Sequence, residues 1–159
     1  MKLILITVGK IKEKYWLDAI AEYSKRLSRY CRLEIIQVQD EKTPDGAGAA
    51  LEQQIREREG ERILAKLRPD AYVIALAIKG QMLDSEELAG MIEKLGVKGS
   101  SQIAFVIGGS LGLSDAVLSR ADCQVGFSKM TCPQQVMRGV LLEQIYRSYR
   151  IINKEPYHK

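Results

Sequence analysis

Residues 102–114, QIAFVIGGSLGLS, contain the pattern that decides the fold: a short apolar run followed at once by two adjacent glycines. An apolar run of this length that ends at a turn is typical of a strand covered on both faces of a sheet. Residues 71–78, AYVIALAI, form a second such run. Longer amphipathic segments separate the apolar runs, and this alternation predicts an α/β fold with a parallel sheet and helices on both faces.

Outward from this stretch, the chain divides into short strands and longer helices. The predicted strands are residues 2–8, 32–38, 71–78, 102–107 and 123–127. The predicted helices are residues 13–29, 49–67, 84–96, 114–121 and 133–152, with a loop at 39–48 and a tail at 153–159. Asp84, with Glu87 three residues later, predicts a capping box at the start of the third helix. Because no repeat and no long linker interrupts the pattern, one domain is expected, residues 1–159.

Composition is that of an ordinary globular protein. The 159 residues are 46% hydrophobic and 28% charged, which excludes a disordered chain. No apolar run approaches the roughly 20 residues that a membrane-spanning helix needs. The N-terminal apolar run, residues 3–8, is too short for a signal peptide and lacks a cleavage site, so a cytoplasmic protein is expected.

The net charge of +4 is informative only when it is divided along the chain. Residues 1–126 carry 18 basic and 18 acidic side chains, whereas residues 127–159 carry six basic and two acidic ones. The last 33 residues therefore hold the entire positive excess. Two interpretations stay open: a solvated helix face with a polar tail, or a patch that binds a polyanion such as RNA.

Histidine and cysteine are too sparse for a metal centre. The only histidine is His158, and the three cysteines are Cys31, Cys123 and Cys132, with no CxxC pair. This excludes a zinc ribbon, a paired-histidine metal site and a disulfide framework. We therefore expect no metal.

Two loops that follow predicted strands are the best candidates for a ligand site. IGGSLGLS, residues 107–114, allows close backbone approach to a ligand, although Ser110 stands where a dinucleotide-binding GxGxxG motif needs glycine. GFSKMTCP, residues 126–133, would offer free backbone groups to a purine edge. With the end of the third strand near Leu76, these loops predict one crevice, because ligands bind at the carboxyl ends of parallel strands. The alternative for residues 107–114 is a tight turn between a strand and a helix. The alternative for residues 126–133 is an ordinary loop in which Thr131 or Cys132 caps the following helix.

The final helix and the tail supply the remaining candidates. Glu143 and Arg147 form an i,i+4 pair, so Arg147 can serve the helix alone, whereas Arg138 lies near the predicted crevice. Arg150 and Lys154 extend the basic face toward the tail. Aromatic and cationic side chains in the tail suit unpaired RNA, and a frayed terminus is the alternative. The tail residues are Tyr157, His158 and Lys159.

The motifs FVIGGSLGLS, FSKMT-P-Q--MR, LLEQIYR and PYHK together resemble the ribosomal RNA large-subunit methyltransferase H family. The opening VGK-KEKYW and the stretch EGERILAKL extend the resemblance over the whole chain. The resemblance implies a SPOUT-class α/β fold with a C-terminal trefoil knot and a homodimer. It also implies transfer of a methyl group from S-adenosylmethionine to N(3) of a pseudouridine in 23S ribosomal RNA, on the assembled ribosome.

The resemblance and the chemistry of the residues together predict three roles. The cofactor pocket would comprise Leu76, Gly108, Gly109, Ser110, Phe127, Ser128, Lys129, Met130, Thr131 and Cys132. The residues expected to contact RNA are Arg138, Arg150, Lys154, Tyr157, His158 and Lys159. For catalysis, the hypothesis is that His158 assists deprotonation of the base or orients it, while Lys129 or Arg138 stabilises the developing negative charge. The chain departs from the family pattern at Cys132, at Gln134 and at Asn153–Lys154.

Two other functions remain open on the sequence alone. One is a methyltransferase of the same class that acts on transfer RNA. The other is a nucleotide-binding regulatory module without transfer chemistry. The first would methylate transfer RNA and not ribosomes, and the second would bind a ligand without methylating anything.

Overall fold

A computed structural model describes residues 1–159, which contain one five-stranded sheet. The strands are β1 (Lys2–Val8), β2 (Arg32–Val38), β3 (Tyr72–Met82), β4 (Gln102–Val106) and β5 (Cys123–Gly126). They lie in the order β2-β1-β4-β3-β5, and every neighbouring pair is parallel. The predicted α/β class with a parallel sheet is confirmed.

Helices cover both faces of this sheet. They are α1 (Lys14–Leu27), α2 (Ala49–Leu64), α3 (Ser85–Val97), α4 (Asp115–Arg120) and α5 (Gln134–Ile152). Alternate residues of β1 point to opposite faces, because successive side chains of a strand alternate. Leu3 and Leu5 belong to a core shared with α3 and α5, whereas Ile4 and Ile6 belong to a second core shared with α2 and α4. None of these helices is long and apolar enough to cross a membrane.

Local hydrogen bonds explain where two of the helices begin. The Glu87 N–H donates to Asp84 Oδ1 and the Asp84 N–H donates to Glu87 Oε2, both at 2.7 Å, which confirms the predicted capping box. Ser114 Oγ accepts from the Val117 N–H at the start of α4. The first residue before α5 is Pro133, and no side chain caps this helix. A cap from Thr131 or Cys132 is therefore absent.

The end of β3 differs most from the sequence-based expectation. We predicted that the strand ends at residue 78, but it continues to Met82. Val125 of β5 pairs with both Leu76 and Gln81, so the intervening residues of β3 bulge around it. A Cβ on Gly80 would lie 2.6 Å from the Val125 carbonyl carbon, which shows how closely the two backbones approach. The polar residues after residue 78 hide this continuation, because a bulge breaks the apolar pattern of a strand. The trefoil knot stays a prediction.

Candidate active site

The sheet order brings three strand ends together. β3 lies between β4 and β5, and all three run in the same direction. The loop after β4, residues 107–112, and the loop after β5, residues 127–132, therefore leave the same edge of the sheet on either side of β3. Leu76 pairs with Val125 close to that edge. All ten residues predicted for the cofactor pocket belong to these three segments.

The loop at 107–112, which we call the glycine loop, folds tightly upon itself. A Cβ on Gly108 would lie 2.8 Å from the carbonyl carbon of Gly112. Gly112 has a φ of +82°, which L side chains rarely adopt, and its N–H donates to the Gly109 carbonyl at 3.1 Å. Glycine is required here because a side chain would meet backbone, which cannot rotate away.

The loop at 127–132 leaves its backbone free. No backbone group in residues 128–132 bonds to another backbone group, and only the Met130 N–H has a partner, the Ser128 hydroxyl at 3.0 Å. Met130 is 79% exposed, and Lys129 is exposed as well. Unpaired amides and carbonyls beside exposed apolar side chains are the groups that orient a planar heterocyclic ligand.

Arg138 lies inside the protein, where RNA does not reach it. Only 2% of the residue is exposed. Its Nη2 donates to the Val8 carbonyl at 2.8 Å, to the Gly9 carbonyl at 3.0 Å and to Gln134 Oε1 at 2.9 Å, while Nε and Nη1 have no partner. Burial lowers the pKa of its guanidinium. Because its side chain is buried, Arg138 does not offer RNA the direct contact that the sequence predicts. Gln134, one turn earlier, and the end of β1 enclose the side chain, so Arg138 joins α5 to β1.

The tail folds back on α5. The Tyr157 hydroxyl donates to Glu143 Oε1 at 3.0 Å, and the Arg147 guanidinium lies 4.7 Å from the centre of the Tyr157 ring. Burial and this hydrogen bond raise the pKa of Tyr157 to about 12. Arg147 Nη1 donates to His158 Nδ1 at 3.2 Å, and His158 Nε2 lies 3.8 Å from Glu86 Oε1. Because arginine only donates, Nδ1 uses its lone pair here and the proton belongs on Nε2.

Arg150 of α5 also holds the tail, through contacts with Glu155 and Pro156. Its guanidinium pairs with Glu155, donates to the Pro156 carbonyl at 2.9 Å and reaches the Tyr30 hydroxyl at 3.3 Å. Tyr30 in turn donates to Glu155 Oε2 at 2.6 Å. Arg150 is thus occupied within the chain, whereas Lys154 and Lys159 are exposed and form no ion pair. The sequence predicts RNA contacts for all three; the partners of Arg150 depend on how the tail folds back beside Tyr30, which leaves no local pattern.

The positive excess of the last 33 residues is divided between two places. Lys129 and Arg138 lie near the strand ends, whereas Arg147 and Arg150 lie with the tail. Arg147 is nine positions after Arg138 in α5, which is about 13.5 Å along the helix axis. Within one chain, Arg147 and the tail residues that contact it therefore lie along α5 from Arg138.

Sequence reasoning gave no role to Glu59, although it lies against the glycine loop. Its Oε1 is 2.9 Å from the place that a Cβ on Gly109 would occupy. A signal was present in the sequence: Ile55, Glu59 and Ile63 are four residues apart, so a carboxylate interrupts the apolar stripe of α2. All three residues are buried.

Comparison with known proteins agrees with this arrangement over the full length of the chain. A family model described as a predicted SPOUT methyltransferase matches residues 1–158. The ribosomal RNA large subunit methyltransferase H of Bifidobacterium adolescentis is 62% identical over 159 residues, which are the whole of both chains. The proteins of the same name from Clostridium beijerinckii and Clostridium acetobutylicum are 58% and 57% identical, again over the whole of both chains. The chain therefore belongs to the SPOUT methyltransferase family.

Proposed function

We propose that this protein transfers a methyl group from S-adenosylmethionine to N(3) of a pseudouridine in 23S ribosomal RNA, with the assembled ribosome as its substrate. The observation that carries the proposal is the meeting of the glycine loop, the loop at 127–132 and Leu76 at one edge of the sheet. Relatives that carry a ribosomal RNA methyltransferase name at 57–62% identity over their whole length support the choice of substrate.

The residues present fit S-adenosylmethionine. The backbone N–H and C=O groups of residues 128–132 make no backbone hydrogen bonds, so they are available to pair with the donors and acceptors on the edge of an adenine ring. The glycine loop has no side chain between Ile107 and Ser110, so the backbone itself can approach the ligand. When bound, S-adenosylmethionine supplies an electrophilic methyl group on a positively charged sulfur. The chain's own task is then to orient the target base and to remove its proton.

His158 and Lys129 are the residues that we expect to assist removal of the proton from the target base. The N(3) nitrogen of a pseudouridine carries a proton and is a poor nucleophile until that proton leaves. His158 Nδ1 accepts the proton after its hydrogen bond from Arg147 is released. Lys129, exposed in the loop at 127–132, stabilises the negative charge that develops on the base. Arg138 holds the start of α5 against β1 and so keeps the loop at 127–132 in place.

A homodimer would bring the tail to the loops. Within one chain, His158 lies beside Arg147 of α5 and Glu86 of α3, and it has no hydrogen bond to either loop. A second copy would cover exposed apolar side chains on β3, on the loop at 127–132 and on α5. These side chains are Ile78, Met82, Met130 and Val140. The tail of one protomer would then lie beside the two loops of its partner. Size-exclusion chromatography tests whether the protein is a dimer.

Labelled methyl groups distinguish this proposal from its alternatives. The protein is incubated with S-adenosylmethionine labelled in the methyl group, together with ribosomes from a strain that lacks the modification, and in parallel with transfer RNA. We expect label in 23S ribosomal RNA and none in transfer RNA. Label in transfer RNA alone would contradict the proposed substrate, and ligand binding without any label in RNA would identify a regulatory module.

Replacing Gly108 with alanine is expected to weaken S-adenosylmethionine binding by about 5- to 150-fold, as measured by calorimetry. The new Cβ would meet the Gly112 backbone at 2.8 Å, so the glycine loop must shift, and overpacking of this kind costs about 1–3 kcal/mol. Gly96→Ala is the matched control, because its Cβ would make only an ordinary contact, 3.5 Å from Met1 Cε. If Gly108→Ala and Gly96→Ala bind S-adenosylmethionine with equal affinity, the glycine loop does not belong to the cofactor site.

A further inference from the structure

Glu59 is a buried carboxylate with one unsatisfied oxygen. The residue is 4% exposed. Oε2 accepts from the Glu41 N–H at 3.0 Å, but Oε1 has no hydrogen-bond partner and no contact with solvent. Burying a carboxylate oxygen without a partner is costly, so a purely structural residue here would be apolar, as its neighbours Ile55 and Ile63 are.

The charges around Glu59 do not neutralise it. Asp40 and Glu41, on the segment after β2, repel its negative charge, and Arg62 on α2 attracts it. The Arg62 guanidinium is already bound to Glu41 Oε1 at 2.6 Å and to the Gln39 carbonyl at 2.9 Å. The glycine loop, packed on the other side, contains no charged residue. Burial is the main cause that raises the pKa of Glu59, and the surroundings carry an excess of negative charge.

Helix α2 holds this carboxylate directly behind the glycine loop. Oε1 lies 2.9 Å from the position of a Cβ on Gly109, so any side chain at 109 would displace the carboxylate. The next residue, Gly60, is equally close to the end of the loop, because a Cβ there would lie 2.3 Å from Ser114 Oγ. Glu59 thus packs against Gly109 and Gly60 packs against Ser114, so α2 contacts both ends of the segment from 109 to 114.

We propose that Glu59 determines the charge preference of the methyl-donor site: it favours the positively charged sulfonium of the donor over the neutral thioether of the demethylated product. This inference rests on the proposed function. An uncompensated negative charge in a poorly solvated place attracts a nearby cation far more strongly than it would in water. The donor and its product differ by one methyl group and by the positive charge on sulfur, so attraction to the sulfonium acts on the donor alone and favours product release after transfer.

The test compares the affinities of S-adenosylmethionine and S-adenosylhomocysteine in the wild-type protein and in Glu59→Gln. The substitution preserves shape and removes the charge. We expect Glu59→Gln to lower the affinity for S-adenosylmethionine about tenfold, while the affinity for S-adenosylhomocysteine stays nearly constant. Glu61→Gln, which removes an exposed carboxylate from the same helix, should change neither affinity. Equal losses for both ligands in Glu59→Gln would indicate that Glu59 only supports the loop, and would overturn the proposal, as would no change at all.

A pH series on the wild-type protein gives the same information without a substitution. The ratio of the two affinities should shift toward S-adenosylmethionine as pH rises through the acidic range toward neutrality, because Glu59, whose pKa is raised by burial, gains its charge while the ligands' amino groups stay protonated. A constant ratio would contradict the proposal. If the wild-type protein binds neither ligand, the proposed function itself fails, and that result is distinct from a constant ratio.

Discussion

Methyl transfer by a His158→Ala protein is expected to fall about a hundredfold or more at saturating ribosome concentration, whereas its affinity for S-adenosylmethionine should not change. The size of the loss is that of a general base removed from a reaction that must deprotonate a nitrogen. The affinity for S-adenosylmethionine should stay the same, because His158 belongs to the tail and lies outside the loops assigned to the donor. Initial rates with labelled donor and calorimetric binding of the donor measure the two quantities.

Glu86→Gln is the matched control for this prediction. It removes the carboxylate that lies 3.8 Å from His158 Nε2 and leaves the imidazole in place. The Glu86 side chain is 74% exposed, so its substitution should cost little in stability and leave turnover nearly unchanged. Wild-type turnover in the His158→Ala protein would remove His158 from the chemistry, and an equal loss in both variants would indicate that the tail's position, rather than the imidazole, matters.

Gly80→Ala is expected to lower the free energy of unfolding by about 3 kcal/mol, the upper part of the range for overpacked interiors. The new Cβ would lie 2.6 Å from the Val125 carbonyl carbon and 2.7 Å from the Val125 nitrogen. Both contacts are with backbone, so no side-chain rotation can relieve them. Because β3 and β5 also support the loop at 127–132, donor affinity should fall together with stability. Urea unfolding followed by circular dichroism measures the change.

Gly90→Ala serves as its control, since this glycine lies inside α3 and a Cβ there meets nothing within 4 Å. Alanine is the better helix former, so the control should gain about 0.5–1 kcal/mol. Unfolding of Gly80→Ala at the same urea concentration as the wild-type protein would show that β3 and β5 do not approach each other as described.

Most of the fold could be predicted because its causes are local. The bounds of β1 and β2 follow from their apolar runs, and the start of α3 follows from Asp84 and Glu87. The end of β3 could not be predicted, because the strand continues through a bulge that exists only when Val125 lies beside it. A pairing of this kind depends on residues about fifty positions apart, and a period-two pattern does not record it.

The candidate site divides in the same way. The two loops could be identified from their glycines and polar residues, since a loop that follows a buried strand is a local feature. The environment of Arg138 could not, because its partners Val8 and Gly9 are about 130 positions away. The tail contacts of Arg147 and Arg150 depend likewise on how the tail folds back. An arginine's charge predicts that it meets an acceptor, but only the folded chain decides whether that acceptor is RNA or protein.

Mass spectrometry of modified nucleosides tests the central claim most directly. Ribosomes from a strain without the modification are incubated with the protein and S-adenosylmethionine, and their 23S ribosomal RNA is then digested to nucleosides. We predict one new product, a pseudouridine that carries a single methyl group at N(3), and its absence when the ribosomes are omitted or replaced by transfer RNA. A methyl group on any other nucleoside, or on any other atom of pseudouridine, would contradict the proposed reaction.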